Sequence, residues 1–159
     1  MSLIWQLPRW MARPCDRLRL RPVRLFDETG TKWDKDRVGA FGEEVAARWL
    51  WLQGGCPVLA RNFRAPEGGE VDVVCRDRRT LVFAEVKTRT SEAFGRPAAA
   101  VDALKQALII RGAREWMRLL DWPPIVHRFD IVEIVLTDGR PPAVTWLRSA
   151  FVLPDAEHW

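Results

Sequence analysis

The chain has 159 residues, 48% of them hydrophobic and 29% charged, enough for one domain with its own core. No apolar run reaches the roughly 18 residues of a transmembrane helix, and the opening MSLIWQLPRW, without a sustained apolar stretch or small-residue cleavage site, reads as a poor signal peptide. The net charge of +4 suggests an anionic partner, but residues 1–36 carry eight basic and five acidic side chains, so most of the excess lies there and whole-chain charge is weak evidence for nucleic-acid binding.

Composition is otherwise ordinary for a globular protein, apart from nine Trp and no Tyr. Cys15, Cys56 and Cys75 are odd in number and form no C-x-x-C pair. That pattern favours free thiols in a reducing, cytoplasmic setting over a disulfide framework.

Residues 1–36 read as a basic extension, broken by Pro8, Pro14 and Pro22 and rich in Arg. It is either a mobile tail, or residues upstream of the true start, or an arm that tracks phosphates. The folded part is expected from Arg37, as a single domain over 37–159. RVGAFGEEVAARWLWLQGG predicts a helix with Val45, Ala46, Trp49 and Leu52 as its apolar stripe, closed by Gly54-Gly55. CPVLARNFR, GGEVDVVCRD and TLVFAEVKTR predict three strands, the last two a hairpin around RDRR. RPAAAVDALKQALIIRGAREWMRLL predicts a long helix with Pro97 near its first turn and Val101, Leu104 and Leu108 along one face. Gly112 inside that helix costs about 1 kcal/mol against Ala and could mark a kink. HRFDIVEIVL predicts a fourth strand and AVTWLRSAFVL a fifth. The order αβββαβ with an added strand predicts an α/β fold, a mixed sheet flanked by helices.

The informative stretch is LVFAEVKTRT, Leu81 to Thr90. Period two puts Leu81, Phe83, Glu85 and Lys87 on one strand face, apolar first and charged last. That is the pattern of a rigid strand whose end emerges into a cleft. The hairpin partner carries Asp72, with Glu70 two positions earlier, and pairing can bring Asp72 near Glu85. Close carboxylates repel unless a cation lies between them. A hard divalent ion such as Mg2+ (or Mn2+) relieves that repulsion with one or two carboxylates and several waters. A nearby Lys can then orient the attacking water in phosphodiester hydrolysis. The plainer alternative is a solvated E-x-K pair, or an Asp72–Lys87 salt bridge. On the first helix, Glu43 borders the inward face, whereas Glu44 lies four residues before Arg48, a surface pair. Glu43 could equally serve the helix macrodipole alone. Gly39 and Gly42 would let a neighbouring element approach closely.

GEEVAARWL, RNFR, GGEVDVV, LVFAEVKTR, the Lys105-Gln106 helix and RFDIVEI, in that order from about Gly39 to Leu136, resemble the YraN family of uncharacterised bacterial proteins. That family resembles the PD-(D/E)XK nuclease superfamily, and within it the archaeal Holliday junction resolvases. The resemblance implies a restriction-endonuclease-like αβββαβ core. By position, Asp72 takes the place of the motif's first Asp, Glu85 and Lys87 form its D/E-x-K, and Glu43 matches the acidic helix residue that joins the metal site. Arg61 and Asn62 match the polar end of the first strand, and Gln106 the helix residue that supports the site. Asp130 is expected in a structural salt bridge. Val71 stands where the motif's proline would be.

The expectation is a Mg2+-dependent endonuclease acting on DNA, branched DNA in particular. Asp72, Glu85 and Glu43 would hold metal, and Lys87 would position the nucleophile. Arg61, Arg64, Arg89 and Arg96 are candidate phosphate contacts, each also readable as a solvated surface Arg. A symmetric homodimer would suit a two-fold substrate. The alternatives are a non-catalytic nucleic-acid-binding or interaction module on the same fold, or a partner protein whose Trp-rich surface does the work.

Overall fold

A computed structural model of the protein describes residues 20–90 and 101–153. Helix α1 spans Lys35–Leu52, strands β1, β2 and β3 span Val58–Arg64, Glu70–Asp77 and Thr80–Arg89, helix α2 spans Ala103–Leu119, and strands β4 and β5 span Val126–Val135 and Ala143–Phe151. The five strands form one sheet in the order β1-β2-β3-β4-β5. β3 and β4 are parallel, joined through α2, and the other three pairings are antiparallel. The expected α/β class and mixed sheet are present, with AVTWLRSAF as the fifth strand.

Each helix starts at an aspartate whose carboxylate takes an otherwise unpaired backbone N–H. Asp34 Oδ1 accepts from Arg37 N at 2.8 Å, and Asp102 Oδ1 from Lys105 N at 2.8 Å. The second helix therefore starts at Ala103, later than the sequence pattern suggests. Pro97 lies outside the described residues, and Leu104, expected on the buried face, is 80% exposed. α1 ends where Gln53 and Gly54 N–H both reach Trp49 O and Gly55 takes φ +67.

The helices cover opposite faces of the sheet. Val45, Ala46, Ala47 and Leu50 of α1 pack with Val73, Cys75, Val82, Ala84 and Val132. Ile109, Ile110, Ala113 and Met117 of α2 pack with Val71, Val74, Leu81, Phe83, Phe129 and Ile131. Burying each such large side chain stabilises the fold by about 1.5–3 kcal/mol. The rings of Phe83 and Phe129 stack at 5.8 Å, and those of Phe129 and Phe151 at 4.9 Å. Gly112, a possible kink by sequence, serves close approach instead. A Cβ there would lie 3.0 Å from Val71 Cγ2, so α2 packs directly against the start of β2.

The boundary at Arg37 needs correction. Val23 and Leu25 are 5% and 4% exposed and belong to the α1-side core. Val23 N–H donates to Arg140 O, Gly139 N–H donates to Val23 O, and Leu25 N–H donates to Asp138 Oδ1. Val23 and Leu25 are thus tied to the β4–β5 turn. The apolar signal is only two residues long and set among arginines, and its hydrogen-bond partners lie more than a hundred positions away. Cys56 and Cys75 are free and buried. Among the described residues, no helix is long and apolar enough to cross a membrane.

Candidate functional site

Strands β2 and β3 pair through Val73↔Ala84 and Val74↔Phe83. Continuing that register sets Asp72 opposite Glu85. There the ladder changes character, for Val86 N–H donates to the Asp72 carboxylate at 2.7 Å. Side-chain alternation also breaks at this point. Val71 belongs to the α2-side cluster while Val73 belongs to the α1-side one. The β1 residue between the partners of Val71 and Val73 is Asn62, at φ +50. Asn is among the few side chains that adopt this left-handed conformation readily. The result is a polar cavity of about 240 Å³ lined by Glu43 of α1, Asn62 and Arg64 of β1, Glu70 and Asp72 of β2, Glu85 of β3 and Lys105 of α2.

Within it the charges are unevenly matched. Glu85 is 2% exposed. Its Oε1 meets Lys87 Nζ at 2.9 Å and Lys105 Nζ at 3.4 Å. Its Oε2 is buried with no hydrogen-bond partner among the described residues. A buried acceptor left bare costs about 1–3 kcal/mol, more for a charged group, and calls for an explanation. Asp72 is pushed up to about 7, first by burial and then by the charge of Glu85, with the Val86 N–H and Lys105 only partly opposing. Lys105 also hydrogen-bonds Glu70. Burial pulls the Lys105 ammonium down, but Glu70, then Glu85 and Asp72, more than offset it and hold the group above its ordinary value. Glu70 is lowered by that same hydrogen bond.

Two facing carboxylates, one with a bare buried oxygen and the other inclined to keep its proton, suit a hard divalent cation. Such an ion takes one or two protein carboxylates and keeps waters. The expected three-carboxylate set of Asp72, Glu85 and Glu43 is not assembled. Among the described residues, no three His, Cys, Asp or Glu side chains group as ligands of one ion. Glu43 stands at the cavity wall, where its charge still raises Asp72, and Glu44 pairs with Arg48 at 3.5 Å.

Gln106, expected to support the site, is placed apart from the cavity. Its Nε2 donates to Val101 O at 3.0 Å, closing the approach to α2, and it does not line the cavity. One position earlier, Lys105 does. The sequence held a signal for it, since the first turn of α2 carries a lysine and no acid. An ammonium there opposes the helix dipole, so it needs carboxylates from elsewhere. Of the candidate phosphate contacts, Arg64 lines the cavity and Arg61 is exposed on β1. Arg89 is paired with Glu133 at 3.3 Å, and Arg96 lies outside the described residues. A larger cavity, about 1080 Å³ between residues 20–33 and α1, holds none of these residues.

Residues 42–134 match the model of the uncharacterised protein family UPF0102. The chain belongs to this family. It is 46% identical over 115 residues to a UPF0102 protein of Beutenbergia cavernae, covering 72% of this chain and 96% of that one. It is 42% identical over 118 residues to one from Nocardia farcinica, covering 74% and 91%, and 46% identical over 116 residues to one from Solibacter usitatus, covering 71% and 84%. The matched span, residues 42–134, takes in every residue that lines the charged cavity, Glu43, Asp72, Glu85 and Lys105 among them, together with Lys87.

Proposed function

We propose that this UPF0102 protein is a divalent-cation-dependent endonuclease of the PD-(D/E)XK kind, acting on DNA and in particular on branched DNA. The observation that carries the reading is the bare, buried Oε2 of Glu85 beside Asp72. A five-stranded mixed sheet with α1 and α2 on opposite faces, and Asp72 and Glu85-x-Lys87 on adjacent strands, supports a restriction-endonuclease-like core.

In this reading Asp72 and Glu85 would hold Mg2+ or Mn2+, and that ion would supply Lewis-acid chemistry when bound. Lys87, already beside Glu85, orients the attacking water and faces the developing negative charge. Glu43 acts from the wall through water. Arg64 at the rim, with Arg61 outside it, meets phosphate oxygens. A homodimer would present two such sites to a two-fold junction.

A non-catalytic DNA-binding module on the same fold is the second reading. It draws on the two ammonium groups, Lys87 and Lys105, that meet Glu85 Oε1 and balance that acid's charge from within the chain. The deciding experiment incubates the protein with four-way-junction, single-stranded and duplex DNA in Mg2+, Mn2+ or EDTA. We expect cleavage with the metals and none with EDTA, falling at least about 100-fold in Asp72→Asn and Lys87→Ala, as when a transition-state contact is removed. Wild-type rates in both variants would remove this site from catalysis. Binding without cleavage by the wild type would leave the non-catalytic module.

A further inference from the structure

The positive charge in the cavity is distributed in a way that bears on cation entry. Among the described residues, Glu85 Oε1 carries two ammonium groups and Oε2 none. Lys87 belongs to the same strand as Glu85, whereas Lys105 arrives from α2 and is shared with Glu70. The Glu70 side chain is 39% exposed, against 2% for Glu85, so Lys105 spans from the cavity mouth to its floor. Its backbone is fixed in the first turn of α2 by the Asp102 cap. Its side chain is a flexible stem with a compact point charge at its tip, able to shift between two acceptors.

We propose that Lys105 is the site's resident counter-ion. It competes with a divalent cation for the Asp72–Glu85 pair, and Glu70 is the acceptor that holds it off Glu85 once the cation is in place. The proposal rests on the reading of Asp72 and Glu85 as cation ligands. A divalent ion bound at Oε2 meets the charge of Lys105 on the neighbouring oxygen, and like charges at such range oppose each other strongly. Relaxation of Lys105 toward Glu70 relieves that opposition without expelling the side chain to water. Lys105 is here a positioning residue that sets cation affinity.

The test is Mn2+ titration of the full chain by isothermal calorimetry, with no DNA present. Lys105→Met should bind Mn2+ about ten-fold more tightly than wild type, since a like charge is removed from the site. Glu70→Gln should bind several-fold more weakly, because Lys105 then rests wholly on Glu85. In the double variant the Glu70 effect should shrink to near nothing, since Glu70 acts through Lys105. That non-additivity separates the proposal from a simple loss of negative charge, which would add. Equal affinities for wild type and Lys105→Met, or an undiminished Glu70→Gln effect in the Lys105→Met background, would overturn it. The cation reading is checked separately by Asp72→Asn, which should abolish binding. If neither wild type nor Lys105→Met takes up Mn2+, that reading fails and the proposal falls with it. Should Lys105→Met not fold by circular dichroism, Lys105→Gln replaces it in the same cycle.

Discussion

Two acids on neighbouring strands make opposite use of burial. Asp130 on β4 pairs with Ala84, and Glu85 on β3 pairs with Ile131, so they are one residue apart in register and face opposite helix layers. In sequence both sit in the same pattern, an acid and a base two positions apart, Arg128-x-Asp130 and Glu85-x-Lys87. Asp130 is fully buried and accepts from Arg128 Nε at 3.0 and 3.1 Å, Trp146 Nε1 at 2.8 Å and Ser149 N at 2.9 Å. Arg128 in turn donates to Asp77 at 2.9 Å. Both Asp130 oxygens are used. Among the described residues, Glu85 has two cations on one oxygen and no hydrogen-bond partner on the other. Burial does not separate a structural acid from a candidate ligand; the partner count does.

The largest effect should come from the satisfied acid. Asp130→Ala strands the Trp146 and Ser149 donors and takes one of the two carboxylate partners from Arg128. We expect it to cost about 3–5 kcal/mol in denaturant unfolding, the range for breaking a buried, hydrogen-bonded ion pair. Glu85→Gln keeps an acceptor for the lysines and gives the bare position a donor. It should change metal-free stability by no more than about 1 kcal/mol. Equal costs would dissolve the distinction between the two acids.

The next effect is a pH dependence. Asp72 titrates near 7 when folded against 3.8 in its ordinary state. Between those values the folded protein holds a proton that the unfolded chain has released. Stability from this group therefore falls as pH rises through about 4 to 7, on the order of 2–4 kcal/mol in all. Asp72→Asn should remove that slope and be more stable than wild type at pH 8 without metal. Saturating Mn2+ should flatten the wild-type slope. A wild-type profile that is flat without metal, or unaltered by Asp72→Asn, would mean that the carboxylates are not short of positive charge.

The sequence carried the succession of helices and strands and the β2–β3 hairpin, because both follow from local signals, period-two runs and one tight turn; it left open the register that sets Asp72 opposite Glu85 and the order of the strands across the sheet. It also carried Asp130 as a structural ion pair, although Trp146 and Ser149 as its further partners lie on a strand that local pattern cannot dock. Lys105 was visible as a motif letter and as a lysine without a neighbouring acid in the first helical turn, but its partners were not, since they lie on β2 and β3, 35 and 20 positions upstream. Gln106 lies off the cavity wall, where its amide reaches Val101 O. With Lys105 in the cavity, the next side chain turns back to Val101. Val23 and Leu25 were missed because two apolar residues among arginines give no measurable period.

A smaller effect tests how the helix layer positions the site. Gly42 precedes Glu43, and a Cβ there would lie 1.8 Å from Thr88 Oγ1 of β3. Gly42→Ala must displace Thr88 or α1 and should cost about 1–3 kcal/mol, with Glu43 shifted from the cavity. Gly39 has nothing within 4 Å of such a Cβ. Gly39→Ala should instead stabilise by up to about 1 kcal/mol through helix propensity. If both substitutions behave alike in thermal unfolding, α1 does not approach β3 as closely as Gly42 implies.

The smallest effect concerns the residue across from Asp72. Asn62 holds φ +50 in the middle of β1, between the Arg61↔Val73 and Phe63↔Val71 pairs, where the faces of β2 exchange. If that left-handed residue lets β2 turn Asp72 into the cavity, the conformation matters more than the side chain. Asn62→Gly should leave stability within about 0.5 kcal/mol of wild type and keep Mn2+ affinity. Asn62→Ala should cost about 1 kcal/mol, and Asn62→Val somewhat more, because a β-branched residue resists positive φ. Asn62→Val should also weaken Mn2+ binding, as the strand straightens and Asp72 is drawn back toward the regular ladder. A valine variant with wild-type stability and affinity would show that β1 runs extended through position 62 and that Asp72 reaches the cavity without help from its neighbour. Asn62→Gly losing Mn2+ affinity at unchanged stability would assign the Asn62 amide itself, and not its backbone, to the site.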